Sequence, residues 1–483
     1  MKIDGAPVGT DSAVKKKLED YRLKLAQKYQ DKLKPAKKYS EGIEAPKVPE
    51  IVICIFLVDK SDVANSEEFH NMPSHELVHI NKKVSNELYQ GDIALTNDQL
   101  DYLLDPNHPR FKRQAYKSAS YPNTLWPKTG ISYSFASNLT ENTKKLIRQA
   151  IEFWQTHVCL KFNENGGGTP FLFFYKGTGC WSYIGKVSYM TSQAISIGSG
   201  CEHVGIIAHE IGHALGFFHA QSRVDRDDYV KINLDNIDTY YLDNYEKETN
   251  RTNDNFGMPY DYGSIMHYSQ SSFATNEDIP VIIALESNLY QNTMGNRVTP
   301  SFYDIKMMNE LYQCEASCPS NGINCYNGGF VNPTNCSECI CPTGFGGTLC
   351  SARQVASNGS VTCGETLLAT ESWQYLNRST GDGTTNIKDD FTSCHWFLVA
   401  FDVTKRIEIK INKIGSACSS GCFYGGTEFK LGDYSRTGYR FCCKEDIAKL
   451  NGTLKSSDHL VVISSFVRYY RQLFEIQYRR VDQ

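Results

Sequence analysis

The stretch from His209 to His219 reads His-Glu-Ile-Gly-His-Ala-Leu-Gly-Phe-Phe-His, and the interpretation of the whole chain starts from it. His209 and His213 are four residues apart, so on a helix both imidazoles lie on one face and can bind one metal ion. Glu210 follows the first histidine, where its carboxylate can reach water at the metal without being a ligand. Gly216 can leave the helix with a positive φ, and the bend returns His219 toward the same ion. Three protein ligands leave a tetrahedral zinc ion with one open position, which is typical of a catalytic site.

The alternative interpretation is an amphipathic helix that carries surface histidines. The full pattern H-E-x-x-H-x-x-G-x-x-H is much more restrictive than H-E-x-x-H, and it indicates the metzincin class of zinc proteases. That class also requires a downstream turn containing methionine, and Ser264 to Tyr268 (Ser-Ile-Met-His-Tyr) matches it. We expect Met266 to lie beneath the zinc ligands as a soft packing residue. The two signals together favour a zinc site.

These two segments and the stretch from Arg223 to Asp227 (Arg-Val-Asp-Arg-Asp) resemble the astacin family of zinc metalloproteases, and the resemblance covers most of the chain. It implies a multidomain protein whose α+β metzincin protease domain has two lobes, the lower one mostly irregular. It also implies that Tyr268 is a further, mobile zinc ligand. In that role Tyr268 leaves the metal and donates its hydroxyl to the oxyanion that develops during catalysis.

The composition favours a secreted glycoprotein. With 483 residues the chain is too long for one core, and its net charge of −4 offers no argument for nucleic-acid binding. No apolar run approaches the ~20 residues of a membrane-spanning helix. Of the 17 cysteines only Cys54 precedes residue 159, and dense cysteine indicates an oxidising compartment. Five N-x-[ST] sequons agree with secretion: Asn138, Asn250, Asn358, Asn377 and Asn451.

Residues 1–113 are interpreted as an N-terminal region and pro-segment. Apolar residues at helical spacing between Leu18 and Leu33 lie among lysines, which favours a solvated helix over a basic interaction arm. The apolar run from Ile51 to Val58 leaves two interpretations open. It is either a signal peptide displaced inward by a wrongly assigned start, which would also account for Cys54, or a β-strand of the pro-region.

The segment from Leu88 to Ile93 contains a Gly91-Asp92 turn between apolar residues. The astacin resemblance implies that Asp92 ligates the catalytic zinc in a zymogen and displaces water, a role that suits a carboxylate. The basic stretch from Arg110 to Arg113 is either a solvated linker or the site of an activating protease. Its place between a candidate inhibitory segment and the protease domain favours cleavage between Arg113 and Gln114.

Residues 114–314 are predicted to form the protease domain. Ile131 to Phe135 and Pro170 to Lys176 are typical of strands, and apolar spacing from Ile147 to Val158 is typical of a helix behind the sheet. Spacing alone allows three pairings of the four cysteines here, and the resemblance implies Cys159–Cys314 and Cys180–Cys201. The chain departs from the family at Ala220, where astacins usually carry a glutamate that meets the N-terminal amine of the mature enzyme.

Two further domains are predicted after the protease. Residues 315–351 resemble a disulfide-rich EGF-like module, which implies the pairs Cys318–Cys336, Cys325–Cys339 and Cys341–Cys350. Residues 352–483 alternate apolar and polar positions, which predicts an antiparallel β-sandwich. Their frame around Cys363 and Cys394 resembles a CUB domain and implies that these two cysteines pair. Four partners stay open: those of Cys418, Cys422, Cys442 and Cys443.

The sequence therefore predicts a secreted zinc metalloendopeptidase, made as a zymogen, that hydrolyses peptide bonds in extracellular proteins after an activating protease cuts it. One Zn²⁺ activates water, Glu210 carries the proton to the leaving amine, and Tyr268 stabilises the oxyanion. The alternative is a non-catalytic extracellular protein that binds matrix or receptor partners through its CUB-like and EGF-like modules. A zinc hydrolase acting on a non-peptide substrate fits these modules less well. The complete ligand set and Glu210 favour the protease.

Overall fold

The structure, a computed structural model, describes residues 12–37, 76–104, 124–249, 253–319, 322–357, 363–415 and 417–483. Several predicted features lie outside the described residues: Cys54, the run Ile51–Val58, the cleavage site Arg113–Gln114, and the sequons at Asn250 and Asn358. The remaining sequon asparagines, Asn138, Asn377 and Asn451, are exposed.

A six-stranded sheet forms the upper lobe, in the order β1-β5-β6-β4-β2-β3. Its strands are β1 (Ile93–Ala94), β2 (Ile131–Phe135), β3 (Phe162–Glu164), β4 (Phe171–Tyr175), β5 (Cys180–Tyr183) and β6 (Ser192–Ile197). Only the pair β5–β6 is antiparallel among these neighbours. The predicted strands at 131–135 and 170–176 are confirmed. Strand β1 comes from the N-terminal region and extends the edge at β5.

The described helices are α1 (Ser12–Lys37), α2 (Leu77–Ile80), α3 (Asn97–Leu104), α4 (Glu141–His157), α5 (Val204–Leu215) and α6 (Phe302–Leu311). Helix α4 is the predicted helix behind the sheet. It begins after Thr140, whose hydroxyl accepts the N–H of Thr143. Its Trp154 is fully buried and donates its indole N–H to Ala208 O on α5 (3.0 Å). This contact joins α4 to the helix that carries the zinc motif.

Helix α1 differs from the predicted solvated helix. Val14 and Leu18 are each 1% exposed and belong to the same apolar cluster as the upper lobe. Arg22, one turn further on, is 2% exposed. The lysines occupy the other faces, so one face of the helix is a packed interface.

The lower lobe, which follows α5, is mostly irregular. It contains the strand pair β7 (Val230–Ile232) and β8 (Ile282–Ala284). The short 3-10 helices of the described chain are Ser85–Glu87, Ala220–Ser222, Arg226–Asp228, Leu234–Asn236, Thr239–Tyr245, Asn288–Tyr290, Cys314–Ser317, Ser420–Cys422 and Lys444–Lys449.

A disulfide-rich segment and a β-sandwich follow the protease lobes. The segment contains two short antiparallel pairs: β9 (Phe330–Val331) with β10 (Cys339–Ile340), and β11 (Phe345–Gly346) with β12 (Ala352–Arg353). The sandwich contains β13 (Thr366–Leu368), β14 (Gln374–Thr380), β15 (Thr392–Val399), β16 (Arg406–Gly415), β17 (Gly425–Lys430), β18 (Tyr439–Phe441), β19 (Leu454–Lys455), β20 (Leu460–Val467) and β21 (Gln472–Val481).

The sandwich has a five-stranded sheet, β13-β15-β20-β17-β18, and a four-stranded sheet, β14-β21-β16-β19. Trp396, Phe429, Phe441 and Phe474 are fully buried in the core between them. The prediction of an antiparallel sandwich is right except at one edge, where β13 runs parallel to β15. That pairing depends on how the chain enters the sandwich, and the alternation of residues within a strand does not encode it.

Eight disulfides are present among the described residues. Six join the pairs that the family resemblances imply: Cys159–Cys314, Cys180–Cys201, Cys318–Cys336, Cys325–Cys339, Cys341–Cys350 and Cys363–Cys394. The two pairings left open are Cys418–Cys443 and Cys422–Cys442. The described helices include none whose length and apolar character would suit a membrane span.

The sandwich packs directly against the lower lobe. Thr437 Oγ1 donates to Asp261 Oδ2 (3.2 Å), and Arg436 Nη1 contacts Glu286 Oε2 (2.7 Å). A Cβ added to Gly263 would lie 2.3 Å from Thr437 Cγ2, so this close approach requires glycine. The contact is made just before the turn that contains Met266.

Candidate metal centre

Helix α5 presents the first two histidines, and a glycine ends it. His209 and His213 lie on one face and are fully buried. Gly216 has φ +117° and ψ 12°, and its N–H donates to His213 O (2.9 Å). The N–H of Phe217 donates to Gly212 O (2.9 Å), which closes the last turn. The chain then turns back and brings His219 to the same side.

The three Nε2 atoms and the Asp92 carboxylate converge on one point. Nε2 of His209 and Nε2 of His213 are 3.1 Å apart. Asp92 lies 3.2 Å from His209 Nε2, 3.4 Å from His213 Nε2 and 3.1 Å from His219 Nε2. The four ligand atoms all lie within 4.8 Å of one another. Ligand atoms 2.0–2.1 Å from a tetrahedral zinc are about 3.3 Å apart, so the spacing fits that ion.

The opposite ring nitrogens fix the orientation of the imidazoles. His209 Nδ1 lies 2.8 Å from Ile265 O and His213 Nδ1 lies 2.6 Å from Phe217 O. A carbonyl oxygen only accepts hydrogen bonds, so each Nδ1 carries the proton and each Nε2 presents a lone pair. Ile265 O also accepts a hydrogen bond from Arg297 Nη1 (3.0 Å), which holds this carbonyl in place.

The charge state of the histidines also fits a bound cation. Burial lowers the pKa of His209 to about 3 and the pKa of His219 to about 4, against the opposing effect of Asp92. Both rings are therefore neutral near pH 7. Several lone pairs and a carboxylate facing each other in a buried space repel one another unless a cation lies between them. The donor set of three imidazoles and one carboxylate suits zinc.

Glu210 lies beside this centre and is fully buried. Within the described part of the chain, neither of its carboxylate oxygens has a hydrogen-bond partner. Burial, followed by the charge of Asp92, raises the pKa of Glu210 well above its usual range. A buried carboxylate without partners is costly and points to a functional role.

The turn that contains Met266 lies against helix α5. A Cβ added to Gly212 would lie 3.0 Å from Met266 Sδ, so glycine allows the methionine to approach the helix. Asp304, at the start of α6, holds the turn. It accepts hydrogen bonds from Ser264 Oγ and from the N–H of Ile265 (2.8 Å). It also closes a capping box with Ser301.

The N-terminal region contacts the centre through Gln90 as well as Asp92. Gln90 Oε1 lies 3.0 Å from His219 Nδ1. The main-chain carbonyl of Gln90 accepts a short hydrogen bond from the hydroxyl of Tyr268, which is fully buried. Gly91, with φ +80°, packs beside Phe273 and Tyr268, and a Cβ there would meet Phe273 at 2.8 Å.

Sequence reasoning did not find Gln90, Asp304 or Arg297. Gln90 is adjacent to Gly91-Asp92, so its position next to the motif was the available signal. Ser301 and Asp304 have the spacing of a capping box, which would have located the start of α6 but not its contact with Ser264. No local pattern marks Arg297, because its partners are main-chain carbonyls.

Ala220 lies beside the centre and lines a cavity. Its N–H donates to Met266 O (2.9 Å). The cavity is lined mostly by apolar side chains, and its charged lining residues include Arg223 as well as Glu248, Asp261 and Asp304.

Comparisons with known proteins agree with this geometry. Residues 118–313 match the family model described as Astacin, a family of peptidases. The chain is 40% identical over 421 residues to the zinc metalloproteinase nas-31 of Caenorhabditis elegans, covering 85% of this chain and 66% of that protein. It is 38% identical over 388 residues to nas-29 of the same organism, covering 76% of this chain and 71% of that protein. It is 35% identical over 407 residues to nas-27 of the same organism, covering 82% of this chain and 91% of that protein.

The chain thus spans just under two thirds of the length of nas-31 and most of the length of nas-27. The family resemblance inferred from the zinc motif and the methionine turn is confirmed: the chain belongs to the astacin family of zinc metalloproteinases.

Proposed function

We propose that this protein is a zinc-dependent metalloendopeptidase and that the described chain is its zymogen. The observation that carries the proposal is the convergence of three imidazole Nε2 atoms beside Glu210, a buried carboxylate with both oxygens unpartnered among the described residues. His209, His213 and His219 would hold the zinc ion. When bound, zinc supplies a Lewis acid that lowers the pKa of coordinated water to near 7 and polarises a peptide carbonyl.

The protein groups have separate tasks in peptide hydrolysis. Glu210 takes a proton from the attacking water and later delivers it to the leaving amine. Tyr268 donates its hydroxyl to the oxyanion that develops on the carbonyl. Met266 packs against helix α5 beside Gly212, on the element that carries His209 and His213.

Asp92 is the proposed zymogen switch. Its carboxylate lies within 3.1–3.4 Å of all three Nε2 atoms, where water would have to bind. Gln90 supports the blocked state in two ways, because it contacts His219 and holds the hydroxyl of Tyr268. Cleavage between Arg113 and Gln114 would break the covalent link between this region and the protease domain, which we place at 114–314.

We further propose that the protein is secreted and acts on extracellular proteins. The support is the set of eight disulfides among the described residues, since such bonds persist in oxidising compartments. The 1–3, 2–4, 5–6 pairing of the cysteines in residues 315–351 supports an EGF-like module, and the sandwich with its Cys363–Cys394 bond supports a CUB-like domain at 352–483. Matrix or receptor proteins are the proposed partners of these modules.

The test is peptidase activity of the secreted protein before and after cleavage at Arg113, with zinc content measured in parallel. We expect about one zinc ion per chain, activity that appears only in the cleaved preparation, and complete loss with a zinc chelator. Full zinc content without activity on varied protein substrates, measured after the cut N-terminal piece has been removed, would contradict the proposed peptidase function. It would favour the non-catalytic binding protein instead.

A further inference from the structure

Arg22 of helix α1 occupies a buried polar site far along the chain from the zinc motif. Its Nε lies 3.0 Å from Asp243 Oδ2, and both side chains are almost fully buried. Its remaining nitrogens donate to the carbonyls of Asn86 and Leu88, each at 2.8 Å. The guanidinium also lies 5.2 Å from the ring centre of Tyr240. We call these contacts the Arg22 site.

The Arg22 site joins three parts of the chain. Arg22 belongs to α1, Asn86 and Leu88 belong to the segment that leads to Asp92, and Asp243 belongs to the 3-10 helix Thr239–Tyr245 in the region matched by the family model. A planar guanidinium can satisfy a carboxylate and several carbonyls at once. None of these contacts involves the zinc ligands, so the site does not depend on a metal ion.

Other contacts of the N-terminal region also do not involve the proposed zinc ligands. Tyr29 donates its hydroxyl to Asp235 Oδ1 (2.6 Å). The side-chain amide of Asn81 hydrogen bonds to both the N–H and the carbonyl of Cys180 (2.7 Å each). Apolar residues of the region lie in the core of the protease lobes: Val14, Leu18, Leu77, Ile93, Leu95 and Leu100.

None of these contacts involves the segment between residues 104 and 124, which contains the proposed cleavage site. Cutting one peptide bond in that segment removes no partner of these contacts. The interface is then no longer within one chain but between two separate pieces. Removing one partner of a buried ion pair is strongly unfavourable, because the other charge stays buried without compensation. Departure of α1 must break the ion pair and expose several apolar side chains together.

We propose that the N-terminal piece stays bound to the protease through residues 12–37 and 76–104 after the chain is cut and acts as a docked inhibitor, with the Arg22 site as a metal-independent anchor. The surface of the lower lobe around Asp243 is thus occupied by the protein's own helix α1. Dissociation of the N-terminal piece, and not cleavage, then limits the appearance of activity. The inhibitory effect rests on the proposed peptidase function, whereas the docking itself does not.

The experiment uses the full chain cut by a protease that recognises the basic stretch Arg110 to Arg113. The cut protein is treated with a zinc chelator, so that Asp92 has no metal to bind, and is passed over a size-exclusion column. The variants are Arg22→Ala, Arg22→Lys and, as the matched control, Lys24→Ala, which removes an exposed cation of the same helix. Zinc is then restored, and peptidase activity is followed as the protein is diluted.

We expect the N-terminal piece to co-elute with the rest of the wild-type and Lys24→Ala proteins. Arg22→Ala should raise the dissociation constant of the N-terminal piece by roughly a hundredfold or more, so that the piece elutes separately. The dissociation constant of Arg22→Lys should lie between these values, because lysine keeps the positive charge but lacks the planar guanidinium that binds the carboxylate and the carbonyls together. Wild-type activity should rise on dilution, while Arg22→Ala should be active as soon as it is cut.

Release of the wild-type piece on cutting, or equal co-elution of Arg22→Ala, would overturn the proposal. If no variant shows activity, the peptidase function fails while the elution profiles still decide the docking. Hydrogen exchange across residues 12–37 of the wild type needs no substitution. Protection that persists after the cut supports the anchor, and its loss contradicts it even if Arg22→Ala does not fold.

Discussion

The carboxylate of Asp92 lies 3.2 Å from Nε2 of His209, although 117 positions separate the two residues in the chain. The same carboxylate also faces His213 and His219. A tetrahedral ion held by three imidazoles has one position left, and the carboxylate lies where that position would be. This relationship makes the blocked state of the site directly testable.

Replacing Asp92 by Ala is expected to give the uncut protein measurable peptidase activity, because the fourth metal position opens to water. Activity should stay below that of the released protease, since α1 still holds the N-terminal region in place. Asp98→Ala is the matched control, because Asp98 is an exposed acid of the same region. The aspartate switch would be excluded if the uncut Asp92→Ala protein contains zinc and shows no more peptidase activity than the uncut wild type.

Glu210→Gln should keep zinc and lose activity. Glutamine has nearly the same shape but cannot carry a proton, and general acid–base groups contribute about 10²–10⁴-fold to rate. Zinc content and the melting temperature of the cut variant report that the site is intact. A turnover within a few fold of the wild type would show that another group moves the proton.

Tyr268→Phe separates the role of the hydroxyl from that of the ring. Loss of an oxyanion donor typically lowers kcat by about 10²–10³-fold, with a smaller effect on KM. The ring contact with His219, 4.6 Å between centroids, should persist and keep the fold intact. An unchanged kcat would leave Tyr268 with a purely structural role in holding Gln90.

Asp304 should give stability an unusual pH dependence. Burial, which outweighs the hydrogen bond from Ser264, raises the pKa of Asp304 from 3.8 to about 6. The folded state therefore binds this proton more tightly than the unfolded state. The stabilising contribution of protonated Asp304 to the free energy of unfolding is fully present below about pH 4. It is lost as the pH rises through about 6, by up to about 3 kcal/mol.

The measurement for Asp304 is the free energy of unfolding of the wild type and Asp304→Asn between pH 4 and pH 7. Asparagine can keep an acceptor for the turn but does not titrate, so the wild type should lose stability relative to the variant as the pH rises. Asp304→Ala, which leaves buried N–H groups unpaired, should destabilise at every pH by about 1–3 kcal/mol. Parallel curves for the wild type and Asp304→Asn would mean that Asp304 is already ionised at pH 4.

Gly216→Ala should weaken zinc binding and lower stability. A side chain at φ +117° is strained, at a cost of about 1–3 kcal/mol, and relief of the strain would move His219 away from the other ligands. Gly167→Ala is the control, because a Cβ there meets nothing within 4 Å. Equal zinc affinity in the two variants would show that the turn tolerates alanine.

Local patterns in the sequence were sufficient to group the three histidines of the candidate metal centre and to predict two strands and one helix of the upper lobe. The spacing of His209 and His213, and the glycine before His219, encode a metal-binding face within eleven residues. Strands β2 and β4 and helix α4 follow from apolar periodicity in the same way, because hydrogen bonds and side-chain direction repeat over a few residues. The prediction of a solvated α1 failed because lysines on its other faces conceal an interface.

Only the tertiary structure placed Gln90 against His219, 129 positions away, and Arg22 against Asp243, 221 positions away. It also decided the partners of Cys442 and Cys443 and the parallel pairing of β13 with β15. The physical reason is common to all four cases. Which distant side chains meet depends on the path of the whole chain and on the packing between domains, and no periodicity within one segment encodes either.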